Sequence, residues 1–149
     1  MKKSIEQLVY GSFEQVTLPA FSPVPSIAKI DTGAYSGAIH CSVLREHLRH
    51  NRKYLRFKPL ATGEMQETDK YIHKYVRSST GHLVSRYLID TKITIQDKTY
   101  DIRIGLSNRS DMQYEVLIGR RFLREHGIIV DVRINQEYDM GDKGNGAML

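Results

Sequence analysis

The sequence predicts an all-β, barrel-like domain with one short helix near its C-terminal end. Three observations predict it. Short apolar or alternating runs recur along the chain, divided by clusters of Gly, Pro, Ser and Asp. Residues 83–95 and 99–106 face each other across Gln96, Asp97 and Lys98; in the second run Tyr100, Ile102 and Ile104 alternate with Asp101 and Arg103, as in a half-buried hairpin. Residues 120–126 read as a short helix with Phe122 and Leu123 on its buried face and Gly127 as its stop.

The other elements follow in order. Residues 1–11 are polar up to Val9, Tyr10 and Gly11. Residues 13–18 alternate and read as a first strand. Pro19, Pro23 and Pro25 bracket a loop that a central strand would not tolerate. Residues 26–30 form a strand leading to Asp31, and Gly33, Ser36 and Gly37 supply turn chemistry after it. Residues 38–43 read as a second strand that runs on into a helical turn over residues 44–50. Residues 51–58 read as a strand with one wet face, ended by Pro59. Residues 61–70 are polar, contain Gly63 and read as a loop or hairpin tip. Residues 71–77 and 83–95 are strands joined by Ser78, Ser79, Thr80 and Gly81. Residues 115–118 are a short apolar strand, and residues 128–134 a last one.

The chain has 149 residues, 40% apolar and 26% charged, the range of an ordinary globular domain. We expect a single domain over residues 1–149, with an ordered core from about 11 to 138 and a flexible, glycine-rich tail from about 139 to 149. The formal charge of +5 is spread along the chain with a local cluster over residues 45–58, and no nucleic-acid-binding signature accompanies it. One cysteine, Cys41, excludes an internal disulfide and fits a reducing compartment. No apolar h-region follows Lys2 and Lys3, and no run approaches the roughly 18 apolar residues of a membrane helix. A cytoplasmic protein with no membrane or nucleic-acid partner is expected.

The chemistry centres on Lys29-Ile30-Asp31-Thr32-Gly33-Ala34, where an apolar strand delivers a carboxylate, a hydroxyl and a glycine in succession. Taken alone, Asp-Thr-Gly is more often a plain turn. A second segment, Val116-Leu117-Ile118-Gly119-Arg120, runs into the helix. Further matches are residues 11–19 with Phe13, Glu14, Val16 and Leu18; Arg77-Ser78-Ser79-Thr80-Gly81; and Asn108-Arg109-Ser110-Asp111-Met112. Together these resemble the retropepsin-like aspartic peptidases of bacteria, a family often labelled ATP-dependent zinc protease and associated with ATP-grasp ligases that add amino acids such as glutamate. The resemblance implies a retropepsin-like acid-protease barrel. One departure stands out: viral retropepsins carry an Asp two residues after the signature Gly, paired with the Arg of the second motif, and here that position is Tyr35.

The resemblance also implies a mechanism. Two carboxylates about 3 Å apart cannot both ionise, so one keeps a proton while the other activates water. The sequence holds one Asp-Thr-Gly, so a complete site needs a homodimer, each chain giving one Asp31. Thr32 is then expected to bond across the two-fold axis, and Gly33 to allow close approach of the backbone. The expected activity is aspartic-type hydrolysis of peptide or amide bonds in a peptide or protein substrate, an acidic one if the basic run over residues 45–58 binds it. The alternative on the same fold is a non-catalytic binding or regulatory domain that partners an ATP-grasp ligase. The polar segment around Gly63 is the expected flap over substrate.

No cofactor and no metal are expected. His-Glu-x-x-His is absent, and His47 and His50 would share a face only on a helix. His40, close to the motif, reads as a hydrogen-bonded support of the loop. His40 and Cys41 point to opposite faces of a strand and so do not make a thiol dyad; Cys41 reads as a buried small residue. Arg120 reads as a structural tie at the start of the helix.

Overall fold

The computed structural model describes residues 7–78, 80–108 and 113–141. In chain order the strands are β1 (Val9–Tyr10), β2 (Phe13–Thr17), β3 (Ser26–Ile30), β4 (Ala38–Arg49), β5 (Arg52–Pro59), β6 (Gln66–Thr68), β7 (Ile72–Arg77), β8 (Leu83–Ile95), β9 (Lys98–Ser107), β10 (Val116–Ile118) and β11 (Ile129–Val130). The helix α1 (Arg120–Glu125) lies between β10 and β11, and a 3-10 turn, Gln136–Tyr138, follows.

Six strands close into a barrel in the order β10-β3-β2-β8-β9-β4 and back to β10. Closure removes the exposed edges that an open sheet would leave. The closing strand decides where the site forms. β10 runs parallel to β3, with Val116 beside Ala28 and Ile118 beside Ile30, and antiparallel to β4, with Val116 beside Ile39. Two strands consecutive in the chain, β3 and β4, are therefore held apart by a third inserted between them. The connection over residues 31–37 must arch across the end of β10. The turn residues after Asp31 serve that arch.

The barrel interior is filled by Val16, Leu18, Ala28, Ile39, Ile93, Ile104, Val116 and Ile118, with Phe122 and Leu123 of α1 closing one side. The alternation expected over residues 99–106 is observed within β9, Ile102 and Ile104 being buried and Tyr100 half-buried between exposed neighbours. One carboxylate is buried with them. Glu14 is accommodated because it accepts hydrogen bonds from the Gly11 N–H at 2.7 Å, Asn135 Nδ2 at 2.9 Å and Gln96 Nε2 at 3.2 Å. These ties join β2 to the 95–98 turn and to the segment after β11.

Four local expectations are corrected. Residues 44–50 are not a helical turn: β4 continues to Arg49 and pairs antiparallel with β5 from Val43 opposite Lys58 to Arg49 opposite Arg52. The hairpin turn is made by His50 and Asn51, both at positive φ. Residues 61–70 are not a free loop: β6 pairs with β5, Gly63 is buried, and Thr62 Oγ1 lies 2.7 Å from Ser22 Oγ. The last strand is shorter than residues 128–134, because Asp131 begins a turn that Arg133 closes through its N–H and guanidinium. Val9 and Tyr10, unassigned in the sequence reading, pair in parallel with Ile129 and Val130. The expected flexible tail falls largely on residues 142–149, and the Arg109 to Met112 part of one matched motif also lies outside the described residues.

Among the described residues no helix is long and apolar enough to cross a membrane. Cys41 is fully buried on β4, as expected of a small apolar residue, and burial pushes its thiol up to about 12. Native protein should therefore resist alkylation by a thiol reagent at pH 8 and react fully in denaturant, which mass spectrometry reads directly. Stoichiometric labelling of the folded chain would contradict this burial.

Candidate active site

Asp31 sits at the end of β3, where the arch begins. Its N–H donates to the Ile118 carbonyl of β10 at 2.8 Å, its carbonyl accepts from the Ala34 N–H at 3.1 Å, and its Oδ1 accepts from the Gly33 N–H at 3.0 Å. The carboxylate is half-buried and lines a cavity of about 460 Å³.

The arch is locked from the other side by α1. The first N–H groups of a helix lack partners within it. Gly119, the N-cap, has no side chain to supply one. The Arg120 N–H instead donates to the Ala34 carbonyl at 2.8 Å and the Arg121 N–H to the Tyr35 carbonyl at 3.0 Å. The Arg120 side chain adds a bond from Nη1 to the Gly33 carbonyl at 3.0 Å, the structural tie expected of it. Its guanidinium also lies over the Tyr35 ring, 5.3 Å from the centroid. A cation–π contact thus occupies the position where a viral retropepsin would pair an Asp with its Arg.

The opposite wall of the cavity comes from the β7–β8 hairpin. Side chains alternate faces along a strand. Lys74 and Val76 of β7, with Arg86 and Leu88 of β8, line the Asp31 cavity. His73, Tyr75, Ser85 and Tyr87 belong to the other face. Lys74 and Arg86 are directly opposite in the pairing register, and neither makes an ion pair among the described residues. Like charges placed opposite each other repel, so an anion between them would be stabilised. Beyond them, Arg77 Nη1 donates to the Gly81 carbonyl at 2.8 Å. This hairpin, and not the Gly63 segment expected as a flap, lines the cavity; Gly63 is packed against Pro59 of β5.

Thr32 and Gly33 are exposed beside Asp31. Thr32 borders a shallow depression with Arg120, Arg124, Ile128 and Val130, and the same C-terminal segment leaves Ile129 and Val132 exposed at 52% and 70%. His40 is not the hydrogen-bonded support that was expected. Its main chain joins β4 to Glu115 and Leu60, but its Nδ1 is buried without a partner among the described residues. Nor do His47 and His50 share a face. His47 is on β4, with Nε2 3.6 Å from Glu67 Oε2, and His50 is in the turn. Among the described residues no three His, Cys, Asp or Glu side chains converge, so the zinc of the family label finds no fitting donor set there.

Sequence reasoning singled out Asp31, Thr32, Gly33 and Arg120, which the fold brings together where the arch meets α1, but not Lys74 and Arg86, which line the cavity beside Asp31. The available signal was period two: charged residues that share a strand face with Val76 and Leu88 are candidates to line a cavity.

Comparison with known proteins agrees with this architecture. Residues 9–137 match the family described as RimB-like, retropepsin-like aspartic endopeptidase RimB. A probable alpha-L-glutamate ligase of Desulfotalea psychrophila is 28% identical over 139 residues, covering 87% of this chain and 29% of the relative. One of Shewanella pealeana is 27% identical over 152 residues, covering 95% and 32%. The chain thus spans about a third of the length of the curated relatives it matches. The crystal structure of Lpg0085, a Legionella pneumophila protein of unknown function, superposes with a TM-score of 0.68 at 29% identity, covering 87% of this chain and 96% of that one. The chain belongs to the RimB-like family of retropepsin-like aspartic endopeptidases.

Proposed function

We propose that the protein is an aspartic-type peptidase whose active site is completed by a second copy of the chain. The observation that carries this reading is the arch itself. Asp31 is fixed at the floor of a cavity by Gly33, Ile118 and α1, while Thr32 beside it is left exposed. A two-fold partner approaching over Thr32 would bring the second Asp31 to the first. One carboxylate would then hold a proton for the carbonyl oxygen of the scissile bond, and the other would take a proton from the attacking water. Exposed Ile129 and Val132 supply apolar area for such a contact. On this reading residues 1–149 act as one retropepsin-like domain, in the cytoplasm, where a single free thiol is at home. The test is hydrolysis of a peptide by purified protein and by Asp31→Asn. Undiminished turnover in the variant would overturn the reading.

The substrate we infer is acidic. Lys74 and Arg86 line the Asp31 cavity with no ion-pair partner among the described residues, whereas no residue of the basic run over residues 45–58, from which an acidic preference was expected, lines it. Relatives of about three times the length carry the name alpha-L-glutamate ligase, which makes a glutamate-rich peptide the first substrate to try and a ligase the first partner. Reversing both charges, Lys74→Glu with Arg86→Glu, should lower kcat/KM on such a peptide at least about tenfold while sparing a neutral peptide, and added salt should erode the wild-type preference. Equal losses on both peptides would remove the charge argument. A chain that binds the ligase and the acidic peptide but never cleaves it would instead be the regulatory domain.

A further inference from the structure

The outer face of the β7–β8 hairpin, turned away from the Asp31 cavity, carries a second constellation. Ser85 Oγ lies 2.5 Å from His73 Nε2, and His73 Nδ1 lies 3.2 Å from Glu46 Oε1. Three strands supply it: Glu46 from β4, His73 from β7 and Ser85 from β8. The carboxylate is fixed in turn, for Glu46 Oε2 accepts from the Tyr71 hydroxyl at 2.5 Å and Oε1 from the Tyr87 hydroxyl at 3.2 Å. The His73 ring is stacked on Tyr87, centroids 4.4 Å apart.

These contacts suit one placement of the protons. An ionised carboxylate only accepts, and the Tyr71 hydroxyl bond lowers the Glu46 carboxyl from the usual glutamate range, Tyr87 assisting against the opposing effect of burial. A neutral His73 with its proton on Nδ1 donates it to Glu46. In that tautomer Nε2 keeps a lone pair, and the Ser85 hydroxyl donates to it. That is the relay by which a serine is made nucleophilic, and such relays are recognised by geometry and roles rather than by position in the chain. Ser85 is exposed, and the exposed apolar side chains of Tyr75, directly opposite it, and Leu83 lie on the same hairpin face.

We propose that Ser85, His73 and Glu46 form a second nucleophilic site that accepts acyl groups from carboxylic esters with an apolar acyl part. Ser85 Oγ attacks the ester carbonyl as its proton passes to His73 Nε2, and Glu46 stabilises the imidazolium. The Oγ–acyl bond forms, the bond to the alcohol oxygen breaks, and the alcohol leaves with the proton from His73. Water then attacks the acyl-serine as its proton passes to His73 Nε2; the Oγ–acyl bond breaks, the carboxylic acid leaves, and Ser85 Oγ takes the proton back from His73.

The probes are an alkyl fluorophosphonate, which leaves a phosphonyl group on Oγ with loss of fluoride, and p-nitrophenyl butyrate, read by released nitrophenolate. Intact mass should show one phosphonyl adduct on the full chain, mapping to Ser85 by peptide sequencing. Ser85→Ala should abolish it, and His73→Gln should slow it about a hundredfold, the contribution of a positioned general base. Asp31→Asn should label and release nitrophenolate like the wild type, which separates this site from the peptidase reading. Ser85→Ala removes one exposed hydroxyl, so an unchanged melting temperature shows that the loss is chemical. Absence of any adduct, labelling that survives Ser85→Ala, or a rate indifferent to His73→Gln would overturn the proposal and leave the cluster as a strap holding the hairpin to β4.

Discussion

Peptide hydrolysis should fall by about 10⁴-fold in Asp31→Asn, the upper range for loss of a positioned acid–base group. Asn is nearly isosteric with Asp and keeps an oxygen to accept the Gly33 N–H, so the arch should stand. What it cannot do is ionise or share a proton. A site made of two copies has a further signature. After subunit exchange with an equal amount of the Asp31→Asn chain, random pairing leaves about one quarter of the dimers with two aspartates. Activity per total dimer should then be about one quarter of the wild-type value, and not the half expected of independent monomers. A titration that falls linearly with the wild-type fraction would show that each chain works alone and would remove the dyad.

The parts of this molecule that were legible in the sequence are those in which local preference and tertiary packing agree. The β8–β9 hairpin has period two and a tight turn at Gln96 and Asp97, and both survive in the barrel. Asp31, Gly33 and Gly37 are turn residues used as turn residues. Misreadings came where a distant partner decided. Leu44, His47 and Leu48 fall at a helical spacing, yet the pairing of β4 with β5 outweighs that weak pattern. The polarity of residues 61–70 suggested a mobile tip, but their main chain is anchored: Leu60 N–H bonds to the His40 carbonyl at 2.9 Å and Ala61 N–H to Glu115 Oε1 at 2.5 Å. The insertion of β10 between β3 and β4 could not be read from Val116-Leu117-Ile118. Three apolar residues suit any interior strand, and only the barrel closure says which neighbours they take. The cavity wall was missed for the same reason, since Lys74 and Arg86 meet only across the register of β7 and β8.

That insertion leads to the second large effect, at Gly119. Here β10 ends, α1 begins, and the arch passes so close that a side chain has no room. A Cβ on Gly119 would collide with the Tyr35 carbonyl oxygen and lie 2.6 Å from both the Tyr35 carbonyl carbon and the Gly37 nitrogen. All three are main-chain atoms, so no rotamer relieves the contact. Gly37 is held in turn, at φ +76, with Leu117 O and the Gly119 nitrogen where its own Cβ would go. Gly119→Ala must therefore push the arch off the helix, straining the bonds from Arg120 and Arg121 to Ala34 and Tyr35. We expect a loss of about 3 kcal/mol, seen as a fall of roughly 6–12 °C in Tm for a chain of this size. Activity measured well below that Tm should still drop about a hundredfold, because a displacement near 1 Å at the reacting groups suffices. Gly127→Ala is the control. Its φ of +60 also disfavours a side chain, but its Cβ meets nothing within 4 Å. It should cost about 1 kcal/mol and leave hydrolysis intact. Should Gly119→Ala instead behave like Gly127→Ala, the arch would not be what holds Asp31 in place, and its carboxylate would owe its position to β3 and β10 alone.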